Sequence, residues 1–158
     1  MEKINQLINK FKDYDLDGYL IPKNDEFFSE YVPDYKDDLK YISNFTGSYG
    51  LALINKKKKF LFVDGRYTVQ ANIQSGKAFK IITLPITKNK KILSLKNKKI
   101  GFNTRLFNEH SINHLAKKLG IKCIAVNNNL VDLIKQRRKV SFKKKFFYTL
   151  NDSVTGKN

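Results

Sequence analysis

The sequence predicts an α/β fold: a mixed, mostly parallel sheet with one β-hairpin, and helices packed on its faces. Three observations point there. Short apolar runs bounded by turn residues alternate with stretches whose apolar residues recur every three or four positions, as strands alternate with helices. Two of the densest runs, "YGLALI" (49–54) and "FLFV" (60–63), are separated only by "NKKKK", which makes them a hairpin with a charged tip. Both runs lack the polar alternation of a half-exposed strand, so they are expected to be buried beneath helices.

The elements follow in order. Ile4, Leu7, Ile8 and Phe11 keep a helical spacing, so "EKINQLINKFK" opens the chain as an amphipathic helix on its own core. "DGYLIP" (17–22) is a short strand entered at Asp17-Gly18 and stopped by Pro22. Asn24 or Asp25 is placed to cap a short helix, and Asp34 a second, because Leu39, Ile42 and Phe45 are spaced by three. After the hairpin, "DGRYTVQANIQSG" reads as a helix closed by Gly76, followed by a strand at "FKIITL" (79–84) and a short helical stretch near "NKKILSL". "KIGF" (99–102) is a strand, "NEHSINHLAKKLG" (108–120) a helix ending at Gly120, and "IKCIAV" (121–126) a further strand. Beyond it, "NNNLVDLIKQRRKVSFKKKFFYTLNDSVTGKN" gives a turn, one helical turn at "LVDLI", and a basic stretch without clear period. The organisation expected is one folded domain over residues 1–126. Residues 127–158 read as a linker and the start of a missing second domain, a tail expected to be partly disordered.

Composition fits a single folded unit: 158 residues, 41% hydrophobic, with 12 Phe and 8 Tyr. No run reaches the roughly 18 apolar residues of a membrane span, and the N-terminus lacks the basic-then-apolar pattern of a secretory signal. A cytoplasmic protein without membrane association is expected. The single Cys123 excludes an internal disulfide and sits in an apolar run as a small buried hydrophobe. The formal net charge of +17 raises an anionic partner such as nucleic acid. Against it, the lysines fall in "NKKKK" (55–59), "KNKK" (88–91) and "FKKKFF" (142–147) rather than along one helix face. Arginine, the better reader of phosphate and guanine, is scarce. Abundant Asn, Ile, Lys, Phe and Tyr also follow from AT-rich coding. Nucleic-acid binding is therefore a minor reading.

Catalytic patterns are sparse. His110 and His114 stand four apart on a predicted helix, but the residue after the first is Ser111 rather than the glutamate of a metalloprotease helix. No acid or cysteine cluster lies nearby to complete a metal site, and surface or capping roles fit them better. Ser48 in "FTGSYG" fails the spacing of a nucleophile elbow because Gly47 adjoins it. Asp25, Glu26 and Glu30 are an acid/base pair only if two of them face each other; capping and solvation explain them more simply. Arg66 is the residue that stands out. Arginine occurs only at Arg66, Arg105, Arg137 and Arg138, yet one is placed just past Asp64-Gly65, where a strand turns into a helix. Asp64 can cap that helix through the amide of Arg66 or Tyr67. A cation in the first helical turn is disfavoured by about 0.3 to 1 kcal/mol, so something must offset it. Two readings remain: a carboxylate or carbonyl ligand at the carboxyl end of a strand, or an internal ion pair with Asp64 or a nearby glutamate.

Taken together, "DGYLIPKNDEFFSEYVPDYKDDLKYISNFTGSYGLALI", "LFVDGRYTVQA", "IGFNTRLFN" and "NNLVDLI" resemble the N-terminal domain of the aminopeptidase P (Xaa-Pro aminopeptidase) family, related to creatinase and prolidase, over residues 17 to 138. The resemblance implies a ribonuclease-H-like sheet, the creatinase N-terminal domain, followed in full-length members by a similar second domain and a catalytic "pita-bread" domain. There two divalent ions, usually manganese, activate a water that attacks the bond before proline. None of those ligands is carried over to this chain, so no catalytic or metal residue is assigned and no cofactor is expected on it. Arg66 holds the position of an arginine that reaches bound peptide in some members. The chain departs from the family at Asp38-Leu39 (often Arg-Leu), Tyr41 (Trp), Lys135 (Trp) and Lys139 (Pro). The resemblance thus implies a truncated or detached N-terminal domain of a Xaa-Pro aminopeptidase. Alone it would be inactive, supporting substrate access and oligomer contacts. Its partners would be a peptide with proline second, a second copy in a homodimer, or a separately encoded catalytic chain. The alternative is a non-catalytic interaction module, since this family's domains are reused for protein binding in a histone-chaperone subunit.

Overall fold

The computed structural model describes residues 2–85, 95–135 and 149–156. Helix α1 (Glu2–Lys10) places Glu2 in its first turn and Lys10 in its last, matching the helix dipole, and buries Ile4 and Leu7. A 3-10 turn, Phe11–Tyr14, extends it and buries Phe11; Asp15, at φ 51, ends it and sends the chain into strand β1 (Gly18–Pro22). Helix α2 (Asp38–Ser43) precedes the hairpin of β2 (Gly50–Asn55) and β3 (Lys59–Val63). A 3-10 turn at Gly65–Tyr67 leads into α3 (Thr68–Ser75), then β4 (Lys80–Thr83) and β5 (Lys99–Asn103). Helix α4 (Glu109–Leu119) starts at an Asn108 cap and ends at Gly120, whose φ of 67 suits a residue without a side chain. With a 3-10 turn at Thr104–Leu106 after β5, strand β6 (Lys122–Val126), α5 (Leu130–Ile134) and a short exposed helix α6 (Asp152–Thr155) complete the described elements.

The sheet order is β4-β3-β2-β1-β5-β6. Of its five pairings, β1–β5, β3–β4 and β5–β6 are parallel, while β2 runs antiparallel to both β1 and β3. The mixed, mostly parallel sheet with one hairpin is therefore as expected. Period-2 alternation splits the core: Tyr19, Ile21, Ala52, Ile54, Leu61 and Val63 face α1, α2, α3 and α5, whereas Leu20, Leu53, Phe60 and Phe62 face α4. With both faces covered, the hairpin strands are buried along their apolar stretch except at half-buried Leu51, which is why they read as continuous apolar runs.

Three local expectations need correction. No helix follows Asn24 or Asp25. Asp25 instead caps a turn, accepting from the amides of Phe27 (3.0 Å) and Ser29 (3.1 Å), and Phe28 at φ 57 prevents a helical continuation. The cap of α2 is Asp37, accepting from the Lys40 amide at 2.9 Å, rather than Asp34. Pro33 causes the shift, its carbonyl accepting from the amides of Lys36 (2.8 Å) and Asp37 (3.1 Å), so a turn occupies the residues that would have begun the helix. Finally, "DGRYTVQANIQSG" is a 3-10 turn followed by a helix rather than one continuous helix. The helical stretch expected near "NKKILSL" lies outside the described residues, except for buried Leu95, and so does most of the basic tail.

The helical turn at "LVDLI" is α5, and Leu130, Val131 and Ile134 are buried beside α1. The Leu130 amide donates to the Tyr19 hydroxyl of β1 at 3.4 Å.

Candidate functional site

Because β2 alone runs against its neighbours, β1, β3, β4, β5 and β6 all finish at one edge of the sheet. Arg66 lies at that carboxyl edge, where open α/β sheets place their ligand crevices. The corner is built locally. Asp64, extended at φ −62 and ψ 150, accepts from the Arg66 amide at 2.9 Å, and the Tyr67 amide donates to the Asp64 carbonyl at 2.9 Å. The same carboxylate oxygen accepts from Arg66 Nε at 2.9 Å. The expected cap and the expected ion pair are thus one residue's work, and they offset the cost of a cation at a helix start. Hydrogen bonding by Arg66 holds the Asp64 carboxyl below the usual carboxylate range, and the Arg66 guanidinium is raised in return.

The pair uses only the Nε side of the guanidinium. The Arg66 side chain is 74% exposed, and its Nη groups have no hydrogen-bond partner among the described residues. The guanidinium stands 5.5 Å from the Tyr67 ring centre, which limits its swing. Tyr67 is itself pinned: its hydroxyl lies 2.8 Å from Ser48 Oγ, and its ring meets Phe45 edge-on at 5.9 Å. Gly47 is needed there, because a Cβ would sit 2.3 Å from the Phe45 ring. Thr46 is tied to α3, its amide donating to Gln74 Oε1 (3.0 Å) and its Oγ1 accepting from Gln70 Nε2 (2.9 Å). "FTGS" and "DGRY", distant in sequence, therefore form one braced corner that presents Arg66.

Around it the loop after β1 contributes charge and aromatic surface. Glu30 adds a favourable field at Arg66, and Phe27 and Tyr31 of this loop, with Tyr49 just before β2, are 74%, 84% and 57% exposed. The carboxylates of this loop do not pair. Burial works against ionisation of Asp25, but the Ser29 and Phe27 donors outweigh it and hold the group low; Glu26 is held low by Lys36. Ser48 bonds to Tyr67 and has no histidine partner among the described residues. His110 and His114 are both exposed on α4. No group of three or more His, Cys, Asp or Glu side chains that could hold a metal stands together among the described residues. Cys123 is half-buried and its thiol is pushed up to about 11 by desolvation.

Sequence reasoning missed a charged pair of pairs beside this corner. Asp37 bonds to Lys23, and Asp38 bonds to Lys135 and Asn129, tying the loop after β1 and the end of α5 to the start of α2. Asp38 and Lys135 side chains are only 5% and 11% exposed. Burial raises the Asp38 carboxyl above its usual range, against the pull of Lys135 and Asn129. A signal was present, since Asp38 and Lys135 are both departures from the family pattern.

The Creatinase/Prolidase N-terminal domain model matches residues 3–140. Xaa-Pro aminopeptidase 1 of Dictyostelium discoideum is 29% identical over 172 aligned positions, covering 99% of this chain and 27% of the relative. The structure of the X-prolyl aminopeptidase of Caenorhabditis elegans, a cytosolic enzyme with a di-nuclear active site, superposes with a TM-score of 0.72 at 26% identity, covering 84% of this chain and 25% of that one. The N-terminal domain of the cytoplasmic peptidase PepQ of Mycobacterium tuberculosis shares the fold, with a TM-score of 0.62 at 19% identity, over 85% of this chain and 98% of that domain. The chain thus spans about a quarter of the length of the Dictyostelium relative and of the Caenorhabditis enzyme. With a sheet of the same plan and a family match over nearly all its length, this chain belongs to the Creatinase/Prolidase N-terminal domain family.

Proposed function

We propose that this chain acts as the N-terminal domain of a Xaa-Pro aminopeptidase, a metal-dependent hydrolase that removes the residue before proline, and that it works in the cytoplasm. On this reading it is a truncated or detached domain that shapes substrate access and oligomer contacts, while the metal centre is held by other residues. On this reading two manganese ions would sit on a separately folded catalytic domain. The observation that carries the reading is Arg66: pinned through Nε, it keeps its Nη edge toward solvent at the carboxyl edge of the sheet. That edge suits a peptide carbonyl or carboxylate, which a planar fork meets with two donors. We also take the connection to any following domain to begin after Lys135 rather than at residue 127, because α5 is buried against α1.

A peptidase assay tests this. The purified chain with manganese should not hydrolyse a fluorogenic Xaa-Pro peptide, whereas a chain carrying the matching catalytic domain, added in trans, should restore turnover. Hydrolysis by the isolated chain would overturn the division of labour. The exposed Phe27, Tyr31 and Tyr49 favour a second reading, a protein-contact module without a catalytic partner. Failure of complementation together with stable capture of a non-peptidase protein through these side chains would favour it.

A further inference from the structure

We propose that the amino edge of the sheet, opposite Arg66, binds the phosphate backbone of duplex nucleic acid without reading its sequence. Lysines that look scattered along the chain converge there, because strand starts, the hairpin tip and the ends of the preceding helices all lie at this edge. On one flank, Lys59 of β3 neighbours Lys80 of β4 through the Phe60–Lys80 pairing, with Lys56 and Lys57 at the hairpin tip and Lys77 just before β4. On the other, Lys99 of β5 is directly paired with Lys122 of β6, and Lys98 accepts the Lys122 amide at 2.9 Å. Lys117 and Lys118 end α4 beside them.

The simplest rival explanation is local: lysines in the last turn of a helix complement its dipole. That accounts for Lys117 and Lys118 but not for the hairpin tip or the strand starts. A second rival is neutralisation. Asp17 and Asp15 at the centre of the edge do pair with Lys98 and Lys99, and Asp13 with Lys10. Lys56, Lys57, Lys59, Lys77, Lys80 and Lys122 have no salt bridge among the described residues, so most of the row keeps its charge. A depression of about 270 Å³ lined by Lys58, Lys59, Phe60 and Lys80 offers a seat for one phosphate group.

The chemistry of the edge selects the partner. Its loops expose no large apolar side chain among the described residues; the exposed aromatics are in the loops at the carboxyl edge. Without stacking platforms, single strands gain little, and without an apolar wedge, a membrane surface gains only charge attraction. Six strands spaced by about 4.8 Å make a row roughly 24 Å across, the length of about seven base pairs, and duplex backbone has the charge density to use it. This binding is independent of the peptidase reading, and Arg66 takes no part in it.

The test is fluorescence anisotropy with the full chain and a labelled 20-base-pair duplex of arbitrary sequence. Affinity should be independent of sequence and fall several hundredfold between 50 and 200 mM salt, a slope of about −4 to −5 for some five phosphates neutralised. Lys56→Glu/Lys57→Glu/Lys80→Glu should weaken binding at least about tenfold and flatten the slope by about 2 to 3. Lys3→Glu/Lys40→Glu/Arg105→Glu, the same charge change elsewhere, should weaken it far less; circular dichroism checks that both variants fold. Equal losses in the two variants would reduce the effect to net charge and overturn the proposal. So would tighter binding to the single strand, to phosphatidylserine vesicles, or to polyglutamate than to the duplex.

Discussion

Arg66 divides its atoms between structure and, on the proposed reading, recognition. Its Nε closes the Asp64 cap, and its remaining nitrogens face solvent. The ion pair is exposed, and exposed pairs contribute little to stability. Arg66→Ala should therefore leave the melting temperature nearly unchanged while lowering peptide affinity roughly tenfold in the complemented enzyme, a loss of the size of one charged hydrogen bond. Arg66→Lys should not restore it, because a point charge cannot present two parallel donors. A large drop in melting temperature in either variant would assign the residue to the fold instead. Asp25 makes the complementary case of an acid that serves only structure. Burial opposes its charge, yet the donors of Ser29 and Phe27 hold the carboxyl below its ordinary value of 3.8. The folded state thus gives up the proton more readily than the unfolded chain. That stability is fully present above the unfolded value and is lost as pH falls through the lower folded one. Asp25→Asn keeps an acceptor but not the charge, so its deficit against the parent chain in urea midpoint should be larger at pH 7 than at pH 3. An equal deficit at both would sink this account.

At the scale of elements, the junction of α2 with α5 is the instructive one. Asp38 alone in a buried site would be expensive, and so would Lys135; together with Asn129 they satisfy each other. Lys135→Met, which strands the Asp38 carboxyl, should cost about 3 kcal/mol in urea unfolding at pH 7.5, and Asp38→Leu a similar amount by stranding the lysine. The double variant should recover most of the loss, since apolar replacements of matched length suit a buried contact; single effects that simply add would mean the pair carries no coupling. The same junction marks the limit of what sequence conveys. The central strands were legible because burial on both faces imposes apolar runs, and α4 because Asn108 and Gly120 are strong local start and stop signals. The start of α2 was not, since Asp34 and Asp37 are equally good caps, and only the Pro33 turn decides between them. The partnership of Asp38 with Lys135 joins residues far apart in the chain, so no local pattern announces it. Likewise Arg66 was visible as an anomaly, but its brace from Ser48 through Tyr67 depends on the hairpin bringing two loops together.

For the whole molecule, the question is where the folded unit stops. The change of character at residue 127 is a change of composition, and composition does not reveal that a single helical turn fills a groove beside α1. Leu130 and Val131 are fully buried and Ile134 nearly so, and the Leu130 amide reaches Tyr19 in the central strand. Burying each such side chain stabilises by roughly 1.5 to 3 kcal/mol, so removing α5 forfeits on the order of 5 kcal/mol and bares the facing surface of Ile4 and Leu7. Small domains hold only about 5 to 15 kcal/mol in total. A chain ended at residue 126 should therefore lose cooperative unfolding, with collapsed dispersion in its proton spectrum, while one ended at residue 135 should melt within a few degrees of the full chain. The difference comes from α5, because both truncations remove everything after residue 135 alike. If the shorter chain melts cooperatively near the parent temperature, α5 is an ornament on a domain already complete at Val126. If it does not, the helix is an integral element of this domain, and the Asp38–Lys135 contact ties its end to the start of α2.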